Sequence, residues 1–205
     1  MKFRTDRSGR SVRKESTSAS DIYNRKGVYN VEDQLILVDV NDKETGYGPK
    51  IEVHRKNLLH RAFSVFIVIG NRMLIQQRAF DKYHSGGLWA NACCSHPRKG
   101  EELTAAVARR LHEELGIEAD TRELFSFVYF QQYEGLSEYE YDHVFVGEYS
   151  GEVRFDRDEI NEVKWVDIPE LLKDVENNPQ NYCTWFIIAL PGVVKQCHIA
   201  RVSHE

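Results

Sequence analysis

Two strand-rich stretches separated by one amphipathic helix set the terms on which this chain can fold. In EELTAAVARRLHEELGI (101–117), Leu103, Val107, Leu111 and Leu115 recur every four residues and line one side of a helix. Gly116 follows directly, at the position where helices turn left-handed and stop. Upstream, QLILVDV (34–40) reads as a buried strand and NDKETGYGP (41–49) as turn-rich chain. AFSVFIVI (62–69), Gly70-Asn71 and MLIQQRA (73–79) read as a hairpin. Downstream, LFSFVYF (124–130), YEYDHVFVGEY (139–149) and VKWVD (163–167) supply further strands. Pro169 opens another helix in PELLKDVE, because proline is tolerated in a first turn. The segment after Thr184 is expected to be helical, with a break or kink near Pro191-Gly192. Strands mixed with a few helices predict an α+β protein, an α/β sandwich.

A chain of 205 residues has room for one domain and little more. Residues 1–30 hold eight basic against three acidic residues with a Ser/Thr cluster at 16–20, and are expected to be a disordered basic arm ahead of a single domain over 31–205. With 27 Lys and Arg against 32 Asp and Glu, a net charge of −5, the whole lacks the positive excess that a phosphate backbone requires, so nucleic acid is not expected as a partner. The longest nearly unbroken apolar run, Trp185 to Val194, is about half of the ~20 residues a membrane helix needs, so no membrane partner is expected either. No apolar signal segment stands near the start, and Cys93, Cys94, Cys183 and Cys197 do not resemble a disulfide framework. Reduced thiols in a cytoplasm, and a monomer or weak homodimer, are the expectation.

The densest chemistry begins at WANACCSHP (89–97), where Cys94 and His96 stand two apart and share a side if the chain is extended, with Cys93 facing away. His54 and His60 precede the first hairpin, and GLSEYEYDH (135–143) presents Glu138 and Glu140 on one face of a strand. Two carboxylates side by side are costly without a cation near them. Three imidazoles with two carboxylates suit a borderline divalent metal such as Zn or Mn. On spacing alone the plainer reading stands beside this one: a glutamate pair on a strand is usually a solvated face, and a single histidine is more often structural than a ligand. On the helix, Arg109/Glu113 and Arg110/Glu114 are each four apart, pairs worth a few tenths of a kcal/mol on an exposed helix. Glu113 and Glu114 next to the C-terminus oppose the helix dipole, a conflict that a bound cation would remove.

The run SHPRKGEELTAAVARRLHEELGI (95–117) resembles the Nudix box, Gly-x5-Glu-x7-Arg-Glu-x-x-Glu-Glu-x-Gly, a loop-helix-loop for metal diphosphates. Glu101, Arg109, Glu113, Glu114 and Gly116 match; Ser95 stands in place of the glycine and Arg110 in place of a metal-binding glutamate. Loss of that carboxylate argues against pyrophosphate hydrolysis, which needs several carboxylates to hold the cations that activate water. LLHRAFSVF (58–66), QQRAFDKYHSGGLWANACCSHP (76–97) and GLSEYEYDHVF (135–145) are similar to type I isopentenyl diphosphate isomerase, a Nudix relative, over roughly residues 34–188.

The resemblance implies a mixed Nudix-like sheet flanked by helices, Cys94 and Glu140 as the catalytic pair, and His54, His60, His96, Glu138 and Glu140 as a site for Zn²⁺, Mn²⁺ or Mg²⁺. It also implies a Mg²⁺ that arrives with the diphosphate and binds Glu114 and the Cys94 carbonyl. Lys50, Arg78, Lys82 and Arg110 would hold the diphosphate, Tyr129 would assist the acid, and Trp185 would lie over the hydrocarbon. The reaction so implied, isopentenyl to dimethylallyl diphosphate, adds a proton to an unactivated alkene and passes through a tertiary carbocation. It therefore needs a strong acid, a second proton-handling group and a dry cation-stabilising wall. Which of Cys94 and Glu140 gives and which takes the proton stays open at this level. The competing readings are a Nudix pyrophosphohydrolase and, from another class, a non-catalytic domain with a structural zinc site.

Overall fold

The computed structural model describes residues 34–82 and 84–202; the expected basic arm over 1–30 lies outside the described residues. The strands are β1 (Gln34–Val38), β2 (Glu44–Pro49), β3 (His60–Ile69), β4 (Arg72–Arg78), β5 (Trp89–Asn91), β6 (Cys93–Ser95), β7 (Thr121–Tyr133), β8 (Leu136–Gly147) and β9 (Ile160–Asp167). The helices are α1 (Lys50–Arg55), α2 (Leu103–Leu115), α3 (Ile168–Asn177) and α4 (Thr184–Val202). Among the described residues, all nine strands join one mixed sheet with β3 at its centre. β3 runs parallel to β8 and antiparallel to β1, β4 and β6. β4 in turn carries β5 and β9, and β7 pairs with β8.

Period-two alternation decides which side each strand residue serves. On β3, Phe63, Val65 and Ile67 face one core while Phe66 and Val68 face the other; on β8, Phe145 goes with the first set and Val144 and Val146 with the second. The first core takes the α2 stripe Val107, Leu111 and Leu115. The second takes Ile168, Leu171 and Val175 of α3 with Phe186, Ala189, Leu190, Val193 and Val194 of α4. Burying both faces of the sheet under helices gives the α/β sandwich predicted from the sequence.

The end of α2 is built as a Schellman closure: Gly116 has φ 62°, its N–H bonds to the His112 carbonyl, and the Ile117 N–H to that of Leu111. The Arg154 and Asp156 amides then take the Leu115 and Glu114 carbonyls, which leaves the Glu114 side chain anchored at a closed helix end.

Two local expectations do not hold. Residues 44–49, read as turn-rich, form the edge strand β2 against β1. Gly48 suits that strand because a Cβ there would stand 2.8 Å from the Val53 side chain, so its glycine signals close packing of α1 and not a turn. The helix also does not break at Pro191-Gly192, where a break or kink is expected: α4 continues through both. Pro191 removes one backbone donor, but buried residues on either side keep the helix seated, and Gly192 leaves room for the Phe125 ring, whose nearest carbon would lie 2.7 Å from a Cβ. Among the described residues no helix is long and apolar enough to cross a membrane.

Candidate active site

Strand register assembles the site. His60 on β3 stands opposite Glu140 on β8, and Glu140 stands opposite Tyr129 on β7, so three polar side chains form a row across three strands. Glu138, two residues before Glu140, shares its face. His54 comes from α1, and His96 follows β6, which is itself paired to β3 through Ser64 and Cys94. The ligand atoms of His54, His60, His96, Glu138 and Glu140 all lie within 4.8 Å of one another. Thus the five residues singled out by the sequence converge.

These donors fit a divalent cation. The Nδ1 atoms of His54 and His60 lie 2.6 and 2.9 Å from the carbonyls of Lys50 and Leu58, so each Nδ1–H donates to backbone and each Nε2 lone pair is left facing the cluster. His60 Nε2 and His96 Nε2 approach to 3.2 Å, and His96 Nε2 lies 2.9 Å from Glu140 Oε1. Burial pushes His60 down to about 4 and His96 well down as well, which keeps both imidazoles neutral and able to donate a lone pair. The neighbouring carboxylates part company. Glu140 is raised well above the usual range by burial and by Glu138 beside it, while contacts with Glu140, His54 and His84 hold Glu138 well below that range against the opposing effect of burial.

Around the cluster, Tyr129 donates its hydroxyl to Glu140 Oε2 at 2.6 Å, and burial keeps that phenol protonated. Cys94 packs toward the α4 core, whereas Cys93 is fully buried in the α2 core, confirming that adjacent cysteines face opposite sides. Burial raises the Cys94 thiol, and the Arg78 guanidinium, with Nη1 3.9 Å from Sγ, opposes that rise. Arg78 also lies 5.4 Å over the Trp185 ring, so that indole already presents its face to a cation. The Trp185 N–H is fixed by Asn91 Oδ1 at 3.1 Å, and Asn91 is held by the carbonyls of Val65 and Cys93.

The other basic candidates form a second group. Arg110 ion-pairs with Glu114 and, at 2.9 Å, with Glu113; it also approaches Glu159 at 3.9 Å, and Lys82 pairs with the same Glu159 carboxylate. Burial raises the Glu114 carboxyl, and the Arg110 guanidinium, with a smaller contribution from Arg78, opposes that rise. Lys50 begins α1 on the histidine side, and its charge helps depress His96.

Sequence reasoning missed Asn91 and His84. His84 is buried in the β4–β5 connection and lies 2.6 Å from Glu138 Oε1. It sits in QQRAFDKYHSGGLW without periodicity, and only its place among other polar residues in that segment hinted at a role.

Comparison with known proteins agrees with this geometry. The NUDIX domain model matches residues 58–186. An isopentenyl-diphosphate Delta-isomerase 2 of Aromatoleum aromaticum is 45% identical over 80% of this chain and 88% of its own length. An isopentenyl-diphosphate Delta-isomerase of Serratia proteamaculans is 45% identical over 77% of this chain and 89% of its own. Among solved structures, a MutT NUDIX hydrolase from Burkholderia pseudomallei superposes with a TM-score of 0.54 at 23% identity, covering 66% of this chain and 98% of that one, a likeness of fold alone. Relatives so similar over most of their length, together with the domain match, establish the family: the chain belongs to the isopentenyl-diphosphate Delta-isomerases of the NUDIX superfamily.

Proposed function

We propose that this protein interconverts isopentenyl and dimethylallyl diphosphate by protonation and deprotonation. The observation that carries the reading is the pairing of a buried, tyrosine-bonded Glu140 with Cys94 beside the Trp185 indole, where the hydrolases would need a further carboxylate and this chain has Arg110. Glu140 supplies the proton to the terminal alkene carbon, with Tyr129 hydrogen-bonded to its second oxygen to stabilise the carboxylate left behind. Cys94 takes a proton from the carbon nearer the diphosphate, and Arg78 at 3.9 Å is the charge that favours the thiolate form against burial. Trp185 stabilises the tertiary cation between these events, an attraction worth ~2 kcal/mol when desolvated. The dry walls around Cys94 and Tyr129 keep water from trapping that cation.

His54, His60, His96, Glu138 and Glu140 would hold one Zn²⁺, Mn²⁺ or Mg²⁺. Bound there, the ion supplies positive charge that holds the two carboxylates together and tunes the acidity of Glu140. Glu114 and the Cys94 carbonyl would take the Mg²⁺ that accompanies the diphosphate, while Lys50, Arg78, Lys82 and Arg110 neutralise the phosphates.

Proton NMR of isopentenyl diphosphate incubated with the protein and Mg²⁺ in D₂O tests the reading. Dimethylallyl signals with deuterium in the methyl group are expected. Released phosphate with an unchanged alkene would move the chain to the hydrolases, and no reaction with metal bound would favour a structural ion in a non-catalytic domain.

A further inference from the structure

The β4–β5 connection brings a third set of polar groups to the ion cluster from outside it. His84 Nε2 lies 2.6 Å from Glu138 Oε1, His84 Nδ1 lies 3.3 Å from Ser85 Oγ, and Ser85 Oγ lies 3.1 Å from the Tyr133 hydroxyl. The imidazole is nearly enclosed. Its ring stacks on Tyr133 with centroids 4.9 Å apart and meets the Trp185 indole edge-on at 6.2 Å. The backbone that delivers it is constrained. Ser85 has φ 50°, in the left-handed region that glycine normally occupies, and a Cβ on the next residue, Gly86, would stand 2.7 Å from the Phe80 carbonyl oxygen. Two further bonds close the loop, from the Gly87 amide to the Arg78 carbonyl and from the Gln77 side chain to the Gly87 carbonyl. A strained, clipped loop that ends in one buried imidazole against a carboxylate is a holding device.

The direction of the hydrogen bonds follows from chemistry. The carboxylate of Glu138 can only accept, so His84 Nε2–H donates to its Oε1 at 2.6 Å. Nδ1 is then an acceptor, the Ser85 hydroxyl donates to it, and the Tyr133 hydroxyl donates to Ser85. Proton transfer is not required of any member. What the chain fixes is the rotation of the Glu138 carboxyl group, whose Oε1 also stands 3.4 Å from His54 Nε2.

We propose that His84 is a positioning residue, the last donor of a Tyr133–Ser85–His84 relay that orients the Glu138 carboxylate for the divalent ion. This rests on the assignment of the histidine and glutamate cluster as a metal centre. Outer partners of metal ligands typically contribute about 10- to 100-fold to affinity.

The test is the affinity of the full-length apoprotein for Mn²⁺, followed by loss of the free-ion EPR signal, in wild type, His84→Phe, His84→Gln and Ser85→Ala. Phenylalanine keeps the stack on Tyr133 and removes the donor; glutamine keeps an N–H near the position of Nε2. The expected result is an affinity about 10- to 100-fold weaker in His84→Phe, largely recovered in His84→Gln, with Ser85→Ala between them. A His84→Phe protein that melts like wild type and binds Mn²⁺ equally well overturns the role of His84 alone. If His84→Phe fails to fold, Ser85→Ala decides, and wild-type affinity there overturns the relay. A wild-type apoprotein that binds no Mn²⁺ sinks both this inference and the metal-centre reading beneath it.

Discussion

Loading the apoprotein with its divalent ion should release about one proton per ion near neutral pH. The count comes from the cluster itself. His60, pushed down to about 4, and His96, also pushed well down, carry no proton to lose, and Glu138 is already ionised. Glu140 is the member that holds one: burial and Glu138 raise it, and a protonated Oε1 donating to His96 Nε2 at 2.9 Å is the arrangement that satisfies both atoms. The cation must displace that proton from Oε1 to use the carboxylate, so affinity should rise about tenfold per pH unit, roughly 1.4 kcal/mol, and the proton that Glu140 gives the alkene in turnover is carried on Oε2, the oxygen that faces Tyr129. Isothermal titration of Mn²⁺ into apoprotein at pH 7, repeated in phosphate and Tris, gives the count from the dependence of the measured heat on buffer ionisation enthalpy. Glu140→Gln should bind more weakly and bring the count close to zero. A wild-type count near zero would mean that both carboxylates are ionised without the cation, and a count of two or more would mean that the imidazoles are charged; either result refutes this distribution of protons.

Cys94→Ala should lower turnover by at least about 10³-fold, in the range of general acid–base contributions, while Cys93→Ala, on the α2 side, should keep kcat within a few-fold and lower the melting temperature instead. Arg78→Ala, read by steady-state kinetics, should raise KM for the diphosphate and also reduce kcat, because the guanidinium stands against Cys94 and the Trp185 ring. Acid should weaken the ion-free fold: with His60 at about 4 against an ordinary value of 6.5, the unfolded chain takes up the proton first, so stability is intact above pH 6.5 and declines down to pH 4 by up to about 3 kcal/mol. Urea melts of apoprotein across that range, compared with His60→Asn, check the sign and the window.

What could be read in advance tracks how local each signal is. The apolar run through Val65, Phe66 and Ile67 declares a strand, and the Leu103 to Leu115 stripe declares a helix, because both signals are properties of single elements. Glu138 and Glu140 were legible for the same reason. Helix α1 was not, since six residues from Lys50 to Arg55 are too few to show a period, although it supplies His54. Gly46, Gly48 and Pro49 imitate a turn, and only the pairing partner β1 reveals them as an edge strand. Pro191 likewise does not end its helix, because tertiary contacts on either side hold α4 together. His84 was invisible to every periodicity, as its role depends on a strained loop and a carboxylate far away in sequence. Convergence of the five candidate ligands likewise depended on strand register, which spacing alone does not give.

The parallel alignment of β3 with β8 sets when the protein becomes competent during its own folding. His60 faces Glu140 across that alignment, so the row exists only after a long intervening segment, including α2 and β7, has been closed. Such distant pairings are the slow part of folding, since the chain entropy of closing the loop is lost before any contact rewards it. The hairpins β3–β4 and β7–β8 can form early, but neither contains all five candidate ligands. A divalent ion that meets this chain during synthesis therefore finds a full set of donors only in the finished sheet, and by mass action withdraws finished molecules from the unfolding equilibrium.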